Sequence, residues 1–208
     1  MTSPILDSTF NFDNRSQRWR DSSTGRFVSG DAVNAEMFRH SDATHATLEA
    51  LTRQLYAGDI QLAQWQVAVA SELKDAHLAQ AMFAVGGRDN MGFAEYGRVG
   101  QTLREQYGYL NTFAEQIARG EVSEAMALAR IDHYGDTTKS SYWNEYADKS
   151  EGLIDWVLGA TDERNCPLCP QYAANSPYKR DTLPARPADG TTPCKGRCRC
   201  TLVRRGET

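Results

Sequence analysis

The sequence predicts a mainly α-helical protein that ends in a small, cysteine-rich module of β-hairpin and loop. No proline occurs between Pro4 and Pro167. Because proline breaks a helix interior, this long run permits several long helices. All five cysteines and six of the seven prolines lie between Asn165 and Cys200. This segment therefore differs in kind from the chain before it.

Composition divides the chain into three regions. We predict an extended N-terminal arm over 1–40, a helical body over 41–150 and a C-terminal module over 151–208. The arm is polar, contains two glycines and shows little periodicity. Such a segment either becomes ordered against a partner or stays a disordered tail, and the sequence does not decide between the two.

The body is predicted to begin with three helices. The first covers 43–56, with Ser41 or Asp42 as its N-cap. Two longer amphipathic helices follow, separated by the glycine pair at 86–87, and Gly120 marks the end of the second. Their apolar stripes are Trp65, Val69, Leu73, Ala76 and Phe83 in one helix, and Val99, Leu103, Tyr107, Leu110, Phe113 and Ile117 in the other.

The remaining elements are shorter. Alanine-rich 121–134 and then 140–149 predict two more helices, while the short apolar segments 153–158 and 201–203 predict strands, with loop between them. Tryptophans 143 and 156 are predicted to be packing residues. His77 lies within an apolar helix, which predicts a hydrogen-bonded core histidine rather than a catalyst.

The cysteines have the spacing of a structural metal site. Cys166 and Cys169 form a CxxC pair, and Cys194, Cys198 and Cys200 follow as a second group. Two thiol groups separated in this way are typical of tetrahedral Zn²⁺ sites. Cys198 and Cys200 can both face one metal ion if the backbone between them is extended, since alternate residues of a strand share a face. Five thiols compete for four positions, and which four bind stays open.

Other interpretations of the cysteines have less support. An odd number of cysteines and a chain without a recognisable secretory signal argue against disulfides and predict reduced, intracellular thiols. A redox CxxC would need a βαβ context, and a zinc deaminase would need an HxE motif, which is absent. The chain also lacks GxSxG, Walker and HExxH motifs. We therefore expect no enzymatic activity.

Charge is unevenly distributed along the chain. Residues 179–208 contain eight Lys or Arg and three acidic residues, a net charge of +5, so the remainder carries −9 of the total of −4. A basic tail suggests an anionic partner. Alternatively, Lys195, Arg197 and Arg199 offset the charge of metal-bound thiolates. No apolar run approaches the roughly 20 residues of a membrane span.

The C-terminal segment resembles the corresponding module of tailed-phage minor head, or head morphogenesis, proteins related to the F protein of phage Mu. Their shared pattern is a Trp-containing strand, an acidic turn, CxxC, a proline-rich loop and CRC followed by a hydrophobic residue. Many members have a histidine three positions before CRC, whereas this chain has a cysteine four positions before it. The resemblance covers about a quarter of the chain. The matching residues are Trp156, Asp162, Cys166, Cys169, Pro184, Cys194, Cys198, Arg199, Cys200 and Leu202.

The resemblance implies a non-enzymatic component of a bacteriophage virion with structural zinc. Its partners would be phage capsid, portal or neck proteins, in multiple copies within a symmetric assembly formed in the host bacterial cytoplasm. Contact with packaged DNA is compatible with this interpretation, and no membrane is involved. The alternative is a nucleic-acid-binding zinc module that uses the basic tail, with Tyr172 and Tyr178 available for base stacking. A phage-borne enzyme or toxin domain is the third hypothesis.

Overall fold

The computed structural model describes residues 10–16, 18–159 and 165–205 and is mainly helical, which confirms the predicted fold class. Among these residues, none of the helices combines the length and apolarity that a membrane crossing requires. The elements in chain order are β1 (Phe10–Asp13), β2 (Arg18–Asp21), α1 (Gly30–Ala57), α2 (Leu62–Val85), α3 (Phe93–Ala118), α4 (Glu124–Thr137), α5 (Lys139–Asp148), β3 (Ile154–Val157), α6 (Cys169–Ala174) and β4 (Thr201–Arg204).

Helix α1 begins at Gly30, well before the predicted start at residue 43. Its N-cap is Ser29, whose side chain accepts a hydrogen bond of 3.2 Å from the backbone N–H of Ala32. The predicted cap Ser41 is instead buried within the helix. The early turns escaped prediction because their buried stripe is largely polar, which obscures the apolar periodicity. The buried residues of α1 are Val33, Met37, His40, Ser41, Thr44, Leu48 and Thr52.

The predicted N-terminal arm forms an antiparallel hairpin in the part that the structure describes. Strands β1 and β2 pair with Phe12 opposite Trp19. The Trp19 ring packs 4.8 Å from the Phe83 ring of α2, measured between centroids. A side chain at Gly86 would overlap the Phe12 ring, so this glycine lets the hairpin approach the end of α2. Residues 1–9 and 17 of the predicted arm lie outside the described residues.

Helix α2 is central and packs against α1, α3 and α5. It ends at Gly86 in the left-handed conformation, with φ of 85°, as the glycine pair predicts. Against α3 it places Trp65 edge-on to Phe113, with ring centroids 5.5 Å apart. The apolar residues buried between α1, α2, α3 and α4 form what we call the helical core: Leu48, Trp65, Val69, Leu73, Ala81, Val99, Leu103, Leu110, Phe113, Ala114, Ala127, Ile131 and Tyr134.

The C-terminal segment contains both predicted strands. Strand β3 pairs with β4 in antiparallel fashion, with Trp156 opposite Leu202. The other edge of β3 carries a single bridge from Ile154 to Tyr178. The region between the strands was predicted to be loop throughout, which is wrong over α6. A proline directly after Cys169 suits the first turn of this short helix.

The C-terminal segment does not have a core of its own. Trp143 of α5 and Trp156 of β3 are both almost fully buried in one apolar cluster, which confirms that both are packing residues. One apolar cluster therefore contains residues from both sides of the predicted boundary at residue 150. The cluster, which we call the mixed core, consists of Val33, Met37, Phe83, Tyr142, Trp143, Ala147, Ile154, Trp156, Cys169, Ala185, Ala188, Cys198, Cys200 and Leu202.

His77 is fully buried in the helical body, as the sequence predicts. Its Nδ1 atom lies 2.7 Å from the Oγ atom of Ser141 in α5. Burial lowers the pKa of His77 to about 4, and a weaker interaction with Gln106 opposes this shift. The imidazole is therefore neutral in the folded protein at neutral pH, and protonating it would place a charge in the core.

Acidification is expected to destabilise the fold through His77. Between about pH 6.5 and pH 4 the unfolded chain binds a proton that the folded chain does not, so the free energy of unfolding falls by up to about 3 kcal/mol and then levels off. Denaturant unfolding of the wild type and of His77→Gln at pH 7, 5.5 and 4.5 measures this difference. Parallel loss of stability in both proteins would contradict the assignment.

Candidate metal centre

The five cysteines lie on three short segments of backbone. Cys166 precedes α6, and Cys169 is the first residue of that helix. Cys194 and Cys198 flank a turn of 3-10 helix over Lys195–Arg197. Cys200 comes directly before β4. The pairing of β3 with β4 and the position of α6 against β3 thus bring two sequence-distant groups of thiols together.

The sulfur atoms form two overlapping groups. The Sγ atoms of Cys166, Cys169 and Cys194 lie within 4.8 Å of one another, and so do those of Cys169, Cys198 and Cys200. Cys169 belongs to both groups, and its sulfur is 3.1 Å from that of Cys166. All five thiols are free of disulfides. The structure therefore brings together every cysteine that the sequence selects.

Local hydrogen bonds hold the two turns in shape. The backbone N–H of Cys169 donates to the carbonyl of Cys166 at 3.1 Å, and that of Arg197 donates to the carbonyl of Cys194 at 3.0 Å. The first bond closes a tight turn with a cysteine at each end. The second closes a tight turn that starts at Cys194. The Thr192 hydroxyl is hydrogen-bonded to the Cys194 sulfur at 3.2 Å. Sequence reasoning missed Thr192, because a threonine before a proline carries no metal-site signal.

The CRC segment behaves as the sequence predicts. Cys198 has extended backbone angles, so Cys198 and Cys200 direct their side chains to the same side, as alternate residues of a strand do. Both are buried, whereas Arg199 between them is exposed. The pair therefore places two sulfurs within 4.8 Å of the Cys169 sulfur.

The thiols shift one another's pKa values in opposite directions. Burial raises the pKa of Cys169 well above that of a free thiol, and hydrogen bonds to Cys166 and Cys200 raise it further. The hydrogen bond to Cys200, followed by burial, raises the pKa of Cys198. The hydrogen bond from Cys198 lowers the pKa of Cys200 to about 6, against the effect of burial. The Cys200 sulfur thus accepts hydrogen bonds from its neighbours, an arrangement in which a cation can replace the donated protons.

The donor set fits a soft or borderline metal ion. Thiolates select Zn²⁺, Cu⁺ and iron–sulfur centres over hard cations, and sulfurs bonded at about 2.3 Å around tetrahedral zinc stand slightly under 4 Å apart. The Nε1–H group of Trp156 is buried with no hydrogen-bond partner among the described atoms. Trp156 also helps to lower the pKa of Cys200. A metal-bound thiolate at Cys200 would give this N–H group an acceptor, so the residues present fit such an ion.

A cleft of about 390 Å³ adjoins the cluster. All five cysteines line it, together with His133 of α4 and Asn165. His133 is exposed on the helix surface, and the sequence analysis did not select it, because a single histidine in a helix carries no ligand pattern. The cleft means that one side of the cluster faces solvent.

One of the three basic residues between the cysteines does not act as predicted. Lys195, Arg197 and Arg199 were expected to offset thiolate charge, but the guanidinium group of Arg197 instead binds the carboxylates of Asp132, at 3.0 Å, and Asp136, at 3.7 Å, in α4. Its charge is therefore directed toward the helical body, and the expectation is wrong for this residue. The pairing ties the turn between Cys194 and Cys198 to α4.

Two other arginines of the basic tail also form ion pairs, one with the helical body and one with strand β3. Arg186 binds the Asp148 carboxylate at the end of α5, and Arg205 binds Asp155 of β3 at 2.8 Å. These ion pairs join the basic tail to acidic residues in the rest of the chain, so the two opposite charges partly neutralise each other within the protein. An external anion is therefore not needed to explain the basic tail.

Gly159 allows the end of β3 to approach the CRC segment. A Cβ atom at this position would lie 1.7 Å from the carbonyl oxygen of Arg199. The backbone of Gly159 also forms a hydrogen bond that lowers the pKa of Cys200. No side chain fits between these two backbones.

Substitution of Gly159 by alanine is expected to displace the CRC segment. Because the contact is with backbone, the free energy of unfolding should fall by about 1–3 kcal/mol, with weaker metal binding. Gly152→Ala is the matched control, since a Cβ atom there meets nothing within 4 Å. Thermal unfolding and metal titration of both variants measure the effect, and equal behaviour of the two would refute it.

Comparisons with family models, with curated proteins and with solved structures give no match for this chain. The resemblance to phage minor head proteins thus stays a prediction from the sequence. Of its pattern residues, Trp156, Leu202 and the cysteines lie in or around the cluster. Pro184 is exposed, and Asp162 lies outside the described residues.

Proposed function

We propose that the chain is a non-enzymatic structural component of a tailed-phage head whose C-terminal segment is held by a structural zinc ion. One observation carries the structural role of the site: five thiols from two groups within residues 166–200 converge on a cluster that belongs to the same core as α1, α2 and α5. Closed tetrahedral thiolate sites are structural, whereas catalytic zinc sites keep an open position. With more thiols than a tetrahedron needs, this site favours the structural role.

Exposed aromatic residues offer contacts for the proposed assembly. Phe93 at the start of α3 is 99% exposed, and Tyr96, one turn further on, is 41% exposed. Residues three apart lie side by side on a helix surface, so the two rings form one small patch. In a symmetric shell such a patch recurs in every copy. This supports α3 as a contact helix.

The nucleic-acid alternative has less support. Arg186, Arg197 and Arg205 already pair with carboxylates of the same chain, and phosphate groups would have to displace these partners. The stacking candidates are also engaged, since Tyr172 packs edge-on to Trp156 and the Tyr178 hydroxyl donates to the Tyr172 carbonyl at 2.8 Å. The observations therefore favour assembly over base stacking.

Particle composition tests the proposal. Heads purified from cells that carry the encoding element should contain the chain in a fixed ratio to the major shell protein, measured by quantitative mass spectrometry. The paired substitution Phe93→Ser and Tyr96→Ser should leave thermal unfolding unchanged and reduce incorporation. Val67→Ser, which removes a 71%-exposed residue of α2, is the control. Normal heads without the chain would refute the proposal, and tight DNA binding that falls steeply with salt would favour the alternative.

A further inference from the structure

Five thiols surround a site that needs four, and their burial is unequal. Cys169, Cys198 and Cys200 are each at most 3% exposed, and their sulfurs form one compact group. Taken as whole residues, Cys166 and Cys194 are only partly buried, and of their two thiols that of Cys194 is the less enclosed. Their sulfurs lie within 4.8 Å of each other and of the Cys169 sulfur. Both therefore stand on the same side of the buried group.

We propose that Cys169, Cys198 and Cys200 are fixed ligands and that Cys166 and Cys194 alternate as the fourth. The inference rests on the metal site of the proposed function and goes beyond it, because it makes one coordination position exchangeable. Three sulfurs leave one vertex of a tetrahedron open. The sulfurs of Cys166 and Cys194 group with that of Cys169 but not with all three fixed ligands, so either one reaches the vertex by a small movement of its turn toward Cys198 and Cys200. Each can then complete the site when the other is absent.

The surroundings of each thiol favour three fixed ligands and two alternating ones. A cysteine left out of the coordination sphere keeps its S–H group, which needs a partner or solvent. Cys194 has such a partner in the Thr192 hydroxyl, at 3.2 Å. Cys166 is partly exposed and lines the cleft. The sulfurs of Cys198 and Cys200 are hydrogen-bonded to each other, and that of Cys200 also to Cys169, so an ion that replaces these protons is shared by the buried three. The Cys166 sulfur contacts Cys169 as well, at 3.1 Å.

A chemical consequence follows from the shared vertex. At any moment one of the two thiols is unligated and borders the cleft, so it can react with a thiol reagent while the ion stays bound. The reacted thiol cannot return to the metal, and the other then holds the vertex. The metal-loaded wild type should therefore take up about one equivalent of alkylating reagent, divided between Cys166 and Cys194.

Peptide mapping of the wild type after brief iodoacetamide treatment tests the inference without any substitution. Label on both Cys166 and Cys194, with the other three cysteines protected, is the expected result. Label on only one of the two, or on any of the buried three, would overturn it. A wild-type chain purified with zinc in the medium that contains no metal would instead refute the metal site itself, so the two failures are distinguishable.

Metal analysis of serine variants gives an independent measurement. Cys166→Ser and Cys194→Ser should each keep about one zinc ion per chain and lose the reactive thiol. The double variant and Cys169→Ser should lose the ion. Loss of zinc from either single variant would overturn the alternation. Circular dichroism of each variant shows whether the helical body remains folded.

Discussion

Removal of the metal ion is expected to open the mixed core while the helical core stays folded. Metal binding to structural thiolate sites contributes on the order of 10 kcal/mol to folding, and three of the five cysteines are members of the mixed core. Without the ion, these sulfurs lose the interaction that holds β4 and α6 against Trp156. The loss of packing should extend into α5, because Trp143 belongs to the same core.

Hydrogen exchange of zinc-loaded and chelated protein measures this result region by region. Amides of β3 and β4 should lose most of their protection, whereas amides of α3 around Leu110 should keep theirs, since Leu110 is buried in the helical core. Addition of excess zinc after chelation should restore the pattern and controls for irreversible damage. Unchanged protection in β3 and β4 would refute a structural role for the ion.

Replacement of Trp143 by alanine is expected to lower the free energy of unfolding by about 3–5 kcal/mol, as is typical when a large buried aromatic side chain is removed. Trp143 is 1% exposed. Its ring packs edge-on to Tyr142, at 4.8 Å between centroids, and to Tyr146, at 5.7 Å.

Denaturant unfolding of Trp143→Ala and of the control Trp143→Phe measures the fall in the free energy of unfolding. The phenylalanine variant keeps an aromatic ring in the site and should lose less than half as much stability. Because the mixed core also contains Cys169, Cys198 and Cys200, Trp143→Ala should weaken zinc binding as well. A loss below about 1 kcal/mol, or unaltered zinc affinity, would show that the cluster is energetically independent of α5.

The thiol cluster could be predicted from sequence because cysteine spacing points directly to a site that can hold a metal ion. Cys166 and Cys169 form a tight turn whatever the rest of the chain does, and the CRC pair needs only extended backbone. The assignment of charges failed for the opposite reason. Arg197 lies between two ligands in sequence, yet its carboxylate partners Asp132 and Asp136 are about 60 residues away and approach only when α4 packs beside the turn.

Local periodicity and glycine placement determined most of the helices and both C-terminal strands. Cysteine spacing predicted which thiols gather in one cluster. Packing decided that the N-terminal hairpin docks on α2, and that the largely polar stripe of α1 after the Ser29 cap is buried. It also decided that one core joins Trp143 to the cysteines. The physical reason is the distance along the sequence over which each interaction acts. Helix propensity, turn geometry and ligand spacing act between near neighbours in sequence. Burial of polar residues such as Ser41, ion pairing and core continuity depend on segments that meet only in the folded chain.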